Sequence, residues 1–349
     1  MKLPPHPAAI TAFRDAVAAG APFAPRDVKL KLVWTCNLRC GMCPHWRTPG
    51  ERPLATDEVA RILGELAGAG ATRVHLSGGE PTLRPDLVAI VAHAAGLGLR
   101  VTMTTNATRI TKALAKDLVA AGLRKVNVSI DAPDAPTHDA LRGRPGAHAA
   151  ALRGLAQLAR RLPPARIRLN TVVAQPNHAR LAELPDFAAA HGAGRLNLLP
   201  VDPRYDEVPG LDADDIRAYN AEVGPAIAAR GLALGLLDAR AEAFPFGEGD
   251  VAIAASARGE YAHGYYADHR CYAPWLHALI DHVGRVRVCC MLTTGPVLGD
   301  LRQAPFAEIW AGAAYAALRA APRGCFASCA RCDHFLGANQ ALERLVAGV

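Results

Sequence analysis

The segment "KLKLVWTCNLRCGMCPHW", residues 29–46, runs from an apolar stretch into three closely spaced cysteines. The stretch 29–34 reads as a first β-strand. Cys36, Cys40 and Cys43 then follow with C-x3-C-x2-C spacing. They fall on the loop at the strand's C-terminal end, where α/β active sites form. Three thiolates so close can wrap one corner of a 4Fe-4S cubane and leave one iron without a protein ligand. An open position of that kind separates a catalytic metal site from a structural one. A zinc knuckle with His45 as fourth ligand is the alternative that the spacing alone leaves open.

The same rhythm continues beyond the loop. Further strand candidates lie at 72–77, 99–105, 125–130, 166–173 and 195–200. Helical stretches rich in Ala and Leu separate them, near 56–69, 85–97, 111–121, 145–161 and 181–191, with another near 212–231. Alternating β and α units imply a parallel sheet with helices outside. Six units are too few for an eight-fold barrel but enough for an open, partial one. Residues 1–27 read as a leading helix and connector, 28–231 as the barrel and 232–270 as a bridging segment. Residues 271–349 form a small terminal domain, with a hairpin turning at "DHVG" and a helix near 306–320.

Composition narrows the function classes. The 349 residues are 51% hydrophobic and 20% charged, as in ordinary globular proteins. No run of eighteen apolar residues occurs, so no membrane-spanning helix is expected. The start "MKLPPHPAAITAFRDAVAAG" lacks the apolar core of a secretory signal, and a cytoplasmic location is expected. The net charge of +7 comes from scattered Arg and Lys, without a nucleic-acid-binding signature. An anionic substrate is compatible with it. Nine cysteines, none between 44 and 270, read as metal ligands rather than disulfides.

The second strand ends in "HLSGGEP", residues 75–81. Its glycines allow close backbone approach, and Glu80 adds a carboxylate at the same rim. The cysteine motif after strand one, followed by GGEP after strand two, resembles the radical S-adenosylmethionine (radical SAM) superfamily over roughly residues 28–200. The resemblance implies that Cys36, Cys40 and Cys43 hold the SAM-cleaving cluster. Met42 would pack on adenine, and Gly78, Gly79 and Glu80 would hold the methionine amino group. "MTTN" supplies Thr104 and Asn106, and "VSID" supplies Ser129 for the SAM carboxylate or ribose, with Asp131 beside it. Arg142 in "HDALRGRPG" would reach the carboxylate, and Asn170 in "RLNTVV" would face the same mouth. His45, Trp46 and Arg47 are expected on the substrate side. The implied chemistry is reductive cleavage of SAM to a 5′-deoxyadenosyl radical that abstracts hydrogen from substrate.

"GCFASCARCDHF", residues 324–335, repeats the cysteine spacing at Cys325, Cys329 and Cys332 without a strand before it or a glycine-rich rim after it. With Cys271, "DHVGRVRVCC", "LGDL" and "EIW", it resembles the SPASM/twitch extension of radical SAM enzymes over about 271–335. Six cysteines are too few for two fully ligated cubanes. The resemblance therefore implies one closed auxiliary 4Fe-4S cluster on Cys271, Cys289, Cys329 and Cys332, with Cys290 and Cys325 as remaining candidates. Adjacent residues on a strand face opposite ways, so one of Cys289 and Cys290 is expected to face the cluster.

The expected fold is thus α/β, a partial (β/α)6 TIM-like barrel with a small C-terminal iron–sulfur (twitch/SPASM-like) domain. The expected cofactors are SAM and two 4Fe-4S clusters. The expected reaction is oxidation of a small molecule such as a sugar or aminocyclitol, with the auxiliary cluster taking an electron. A donor such as flavodoxin or ferredoxin would supply reducing electrons, and neither nucleic acid nor membrane is an expected partner. A peptide-modifying enzyme and a non-catalytic iron–sulfur or zinc scaffold are the alternatives. A molybdopterin-type nucleotide cyclase is disfavoured by the ending "RLVAGV" and by the six cysteines available. Arg168, Asp202, Arg204, Tyr205 and "YAHGYYADHR" are candidates for a general base, and none stands out.

Overall fold

The structure is a computed structural model that describes residues 6–47, 51–204, 207–292 and 295–348. Six parallel strands follow one another: β1 (Asp27–Val33), β2 (Arg73–Gly78), β3 (Arg100–Thr105), β4 (Leu123–Ser129), β5 (Ile167–Val173) and β6 (Arg195–Pro200). Each lies within two residues of its expected position. The intervening helices include Thr56–Gly68, Leu87–Gly96, Lys112–Ala120, Ala147–Ala159 and Leu184–Ala190. Local chemistry sets their starts: the Thr111 side chain accepts from Leu114 N at 3.1 Å, capping its helix.

Alternation along the strands separates two environments. One face carries Val28, Leu30, Leu32, Val74, Leu76, Val101, Met103, Val126, Val128, Ile167 and Leu169, all buried under the helices. The other face carries polar residues and surrounds a cavity. The fold is therefore an α/β half-barrel, packed outside and open inside.

Three further strands, β7 (His277–Ile280), β8 (Arg285–Arg287) and β9 (Gly299–Asp300), belong to the C-terminal part. The sheet order is β6-β5-β4-β3-β2-β1-β7-β8-β9. The hairpin at "DHVG" is present, and Asp281 Oδ1 accepts from Val283 N at 3.1 Å and Arg285 N at 3.0 Å to shape its turn. The strand β7 lies parallel to β1, with Asp27 opposite His277 and Leu30 opposite Ile280. It thereby covers the edge that a partial barrel would leave unpaired. The two domains share one sheet.

Other departures are local. A helix at Ala135–Arg142 was not expected, although the Asp134 side chain caps it by accepting from Thr137 N at 2.9 Å. The bridging segment holds the helix Asp250–Ala257 and packs on the barrel, where Tyr219 Oη donates to Ala243 O at 3.0 Å. The helix expected at 306–320 breaks at Gly312 into Phe306–Ala311 and Ala313–Ala320. A last helix, Leu336–Ala347, packs Leu342 against Phe13 and Val17 of the first helix, Pro7–Ala18. Among the described residues, no helix is long and apolar enough to cross a membrane.

One glycine governs the approach of two active-site loops. A Cβ on Gly79 would lie 1.9 Å from Thr35 O and 2.5 Å from Trp34 O. Both are backbone atoms just before Cys36, so neither can swing aside. Gly79→Ala is expected to cost about 3 kcal/mol, the upper range for overpacking. A thermal melt followed by circular dichroism checks this, and an unchanged midpoint would show that the loops are not so tightly apposed.

Candidate active site

The loop after β1 gathers Cys36, Cys40 and Cys43 around Leu38 and Ala147. Donors surround the sulfurs. Leu38 N lies 3.5 Å and Asn106 Nδ2 3.9 Å from Cys36 Sγ, and Arg142 Nη1 lies 3.8 Å from Cys40 Sγ. Such N–H groups favour negatively charged sulfur, as on a cluster-bound thiolate. Burial meanwhile pushes the free Cys36 thiol up to about 11. The donor set and its surroundings thus fit an iron–sulfur cluster. They fit zinc less well. His45 is engaged by Cys43 Sγ at 3.2 Å and by Lys31 Nζ at 3.3 Å. Among the described residues, no three His, Cys, Asp or Glu side chains converge as ligands of a single ion. Thiolates on a cubane bind separate irons and need no such convergence.

Glycine-rich and third-strand loops brace this site. Gly78 has φ +128°, a value that suits glycine, and a Cβ there would meet Val33 O at 2.3 Å. Glu80 is 1% exposed. Its Oε1 accepts from Thr82 N at 3.0 Å, Thr82 Oγ1 at 2.7 Å and Thr105 Oγ1 at 2.7 Å, and its Oε2 accepts from Asn106 N at 2.8 Å. The carboxylate therefore ties β2 to β3. Asn106 Nδ2 in turn donates to Asn37 Oδ1 at 3.0 Å, on the cysteine loop. Arg142 makes an ion pair with Asp131 at 2.7 Å, and Asp131 is fully buried. Its guanidinium is thus held at Cys40. Trp46 Nε1 donates to Cys40 O at 2.8 Å, and Arg47 Nη2 to Gly41 O at 2.8 Å, so both shape the loop from behind.

Met42, Cys43, His45, Ser77, Gly78, Thr104 and Asn170 line the half-barrel cavity, whose volume is about 640 Å³. Glu80, Gly79, Asn106, Ser129 and Arg142 are not part of that lining. Ser129 stands opposite Asn170 in the β4–β5 register.

Lys29, Lys31, Arg73, His75 and Lys125, which the sequence reading did not single out, face the same cavity from β1, β2 and β4, together with the base candidate Arg168 on β5. Asp27 pairs with Arg73 at 2.5 Å, and Asp202 pairs with Arg204. Among the described residues, Lys29, Lys31, Lys125 and Arg168 make no ion pair with a carboxylate. Burial, then Arg168 and Arg73, brings Lys125 down to about 8. Burial, then Lys29, does the same to Lys31. Arg168 Nε is buried without an acceptor. His75 is held by Thr102 Oγ1 at 2.8 Å and Thr104 Oγ1 at 2.9 Å. The signal was available in "KLKL", "RVHLSG" and "IRLNTVV". Parallel strands buried on both faces read as unbroken apolar runs. Polar residues at every second position mark one face as wet.

The base candidates divide. Arg168, Asp202 and Arg204 line the cavity, whereas Tyr205 lies outside the described residues. Tyr261 Oη donates to Val201 O at 2.8 Å, and Tyr265 Oη and His269 Nδ1 bond Glu343 at 2.5 and 2.8 Å. Those residues serve internal structure.

In the C-terminal domain, Cys271, Cys289, Cys290, Cys329 and Cys332 pack around Ala262, Tyr266 and Phe335. Cys325 is exposed, with its Sγ 3.7 Å from Arg323 O, outside that group. Tyr266 Oη donates to Cys332 Sγ at 3.8 Å. Burial pushes the Cys332 thiol up to about 12. These five grouped thiols, with a hydroxyl donor beside them, include the four expected to ligate the closed cluster. Cys289 interacts electrostatically with Cys290, Cys271 and Cys332, and Cys290 with Cys332 as well as with Lys29, Asp333 and Lys31. Cys290 also lines the half-barrel cavity.

Comparison with known proteins agrees with this geometry. The radical SAM superfamily model matches residues 34–184, and the SPASM iron–sulfur cluster-binding domain matches 271–333. The AdoMet-dependent heme synthase of Methanosarcina barkeri is 32% identical over 305 residues, covering 83% of each chain. The PqqA peptide cyclase of Rhodopseudomonas palustris is 36% identical over 179 residues, 51% of this chain and 47% of that one. The crystal structure of Streptococcus suis SuiB bound to S-adenosylmethionine shares the fold, with TM-score 0.64 and 20% identity over 85% of this chain and 68% of that chain.

Proposed function

The chain belongs to the radical SAM superfamily and carries a SPASM domain, and from that premise we propose that it oxidises a small polyanionic substrate held in the half-barrel cavity. The observation that carries the substrate class is a set of cations with no carboxylate partner among the described residues, Lys29, Lys31, Lys125 and Arg168, around one cavity. Cations crowded together without counter-ions oppose one another, and carboxylates or phosphates arriving among them relieve that repulsion.

Cys36, Cys40 and Cys43 would hold the SAM-cleaving cluster, and Cys271, Cys289, Cys329 and Cys332 an auxiliary one. When bound, these groups and SAM supply a 5′-deoxyadenosyl radical for hydrogen abstraction and an acceptor for the second electron. The chain's own residues do the rest. Arg142 and Asn106 set the field at the cluster sulfurs. Met42 stands between the cysteine loop and the cavity. The lysines and Arg168 hold the substrate's anionic groups, and Asn127 and Asn170 offer neutral hydrogen bonds for orientation.

Similarity to heme synthase runs through most of both chains, whereas similarity to the peptide cyclase covers about half. That coverage supports a tetrapyrrole bearing several carboxylates over a peptide as the substrate. The test uses protein reconstituted anaerobically with iron, sulfide, SAM and dithionite. Release of 5′-deoxyadenosine is expected, and coproporphyrin III or its iron complex should raise it severalfold. An equal rise with uncharged octaethylporphyrin would overturn the polyanion reading, and no release under any addition would overturn radical chemistry itself.

A further inference from the structure

The adjacent cysteines 289 and 290 both pack among the auxiliary-domain thiols, but of the two only Cys290 also lines the cavity of the half-barrel. The segment is clamped in that pose, because Arg204 Nη1 donates to Met291 O at 3.4 Å and Arg204 also pairs with Asp202 on the cavity wall. A second feature marks this side of the cavity as a ligand surface. His277 is 5% exposed, lines the same cavity and, among the described residues, has no partner for either ring nitrogen. Such buried imidazoles are ordinarily satisfied. The ring packs on Phe335 at 4.8 Å between centroids, so it is fixed with its polar atoms unmatched.

We infer that Cys290 is a substrate-contact residue rather than an iron ligand, with His277 as its polar neighbour on the cavity wall. The substrate and the auxiliary cluster would then sit on either side of a single peptide. This rests on the polyanion reading, since the contact is made by whatever the cavity holds.

Iron content and thiol reactivity test it without needing turnover. In reconstituted protein, Cys290→Ser should keep the full iron content, whereas Cys289→Ser should lose the auxiliary cluster. Iodoacetamide labelling read by mass spectrometry should find Cys290 and Cys325 reactive. Coproporphyrin III, a fluorescent polycarboxylate, should slow labelling of Cys290 at least about fivefold and leave Cys325 unchanged. Loss of a cluster in Cys290→Ser would overturn the assignment while leaving the polyanion reading intact. So would unchanged labelling of Cys290 under conditions where porphyrin fluorescence reports binding. Absence of binding would instead overturn the polyanion reading, and this inference with it.

Discussion

Glu80→Ala is expected to lower stability by about 4 kcal/mol and to leave little iron on the first cysteine cluster. The substitution strips acceptors from two backbone N–H groups, Thr82 and Asn106, and from two hydroxyls. Each buried donor left unmatched costs about 1–3 kcal/mol. The damage then propagates. Ala107, next to Asn106, has φ +58°, a left-handed conformation costly for a residue with a side chain. It is held there by its own N–H, which bonds Thr105 Oγ1 at 3.0 Å. Without Glu80, Thr105 and Asn106 lose their anchor and Ala107 relaxes. Asn106 then no longer reaches Asn37 and Cys36. Glu80→Gln keeps the volume but presents an amide NH₂ to one of these donors, so it should lose about half as much. Thermal melts and iron analysis of the two variants check this. Full iron loading in Glu80→Ala would show that the carboxylate is not the brace it resembles.

This reading of Glu80 differs from the one the motif suggested. A conspicuous carboxylate beside two glycines reads as a ligand for SAM, because a sequence shows which groups are present but not which are already hydrogen-bonded. The same limit applied to Arg142. "HDALRGRPG" offered a cation, whereas the structure shows that cation held by Asp131 and set against Cys40. The six parallel strands were legible because each is a local run bounded by turn residues. The strand β7 was not recognised as part of their sheet, since its partner β1 is about 250 residues away and parallel pairing leaves no turn signal between them. The alternation expected at Cys289 and Cys290 does not apply, because β8 ends at Arg287 and Cys290 opens a short 3-10 turn; the sequence did not show that Cys290 reaches the half-barrel cavity while packing beside Cys289.

The cationic cavity was the largest omission, although its pattern is written in the strands. Basic residues scattered along a sequence resemble a solvated surface, which is their usual fate. In a closed barrel, the interior would be filled by branched apolar side chains. Here the inward positions are Lys29, Lys31, Arg73, His75, Thr102, Thr104, Lys125, Asn127 and Arg168. Those residues cannot fill a dry core, because unpaired charges there would be prohibitively costly. The interior must stay wet or hold an anion, and the fold has kept it open.

Reversing two of those charges should have the largest effect on binding. Lys125→Glu or Arg168→Glu is expected to weaken coproporphyrin III at least about a hundredfold, and the double variant about a thousandfold. A single charge pair at about 4 Å and an effective dielectric near 20 contributes about 4 kcal/mol. Reversal replaces that attraction by repulsion, partly offset by rearrangement and water. Fluorescence titration measures it, and the salt dependence should flatten in the variants as charge pairing is lost. The pH profile gives an independent check. Burial first, and the neighbouring arginines next, bring Lys125 down to about 8. Below that pH it is charged and attracts the ligand. As pH rises through 8, the empty cavity loses the charge, binding must take up a proton, and affinity should fall. In Arg168→Glu the nearby carboxylate stabilises the ammonium, so the fall should move to higher pH. Affinity that is flat from pH 7 to 9.5 in the unmodified protein would show that Lys125 does not meet the ligand.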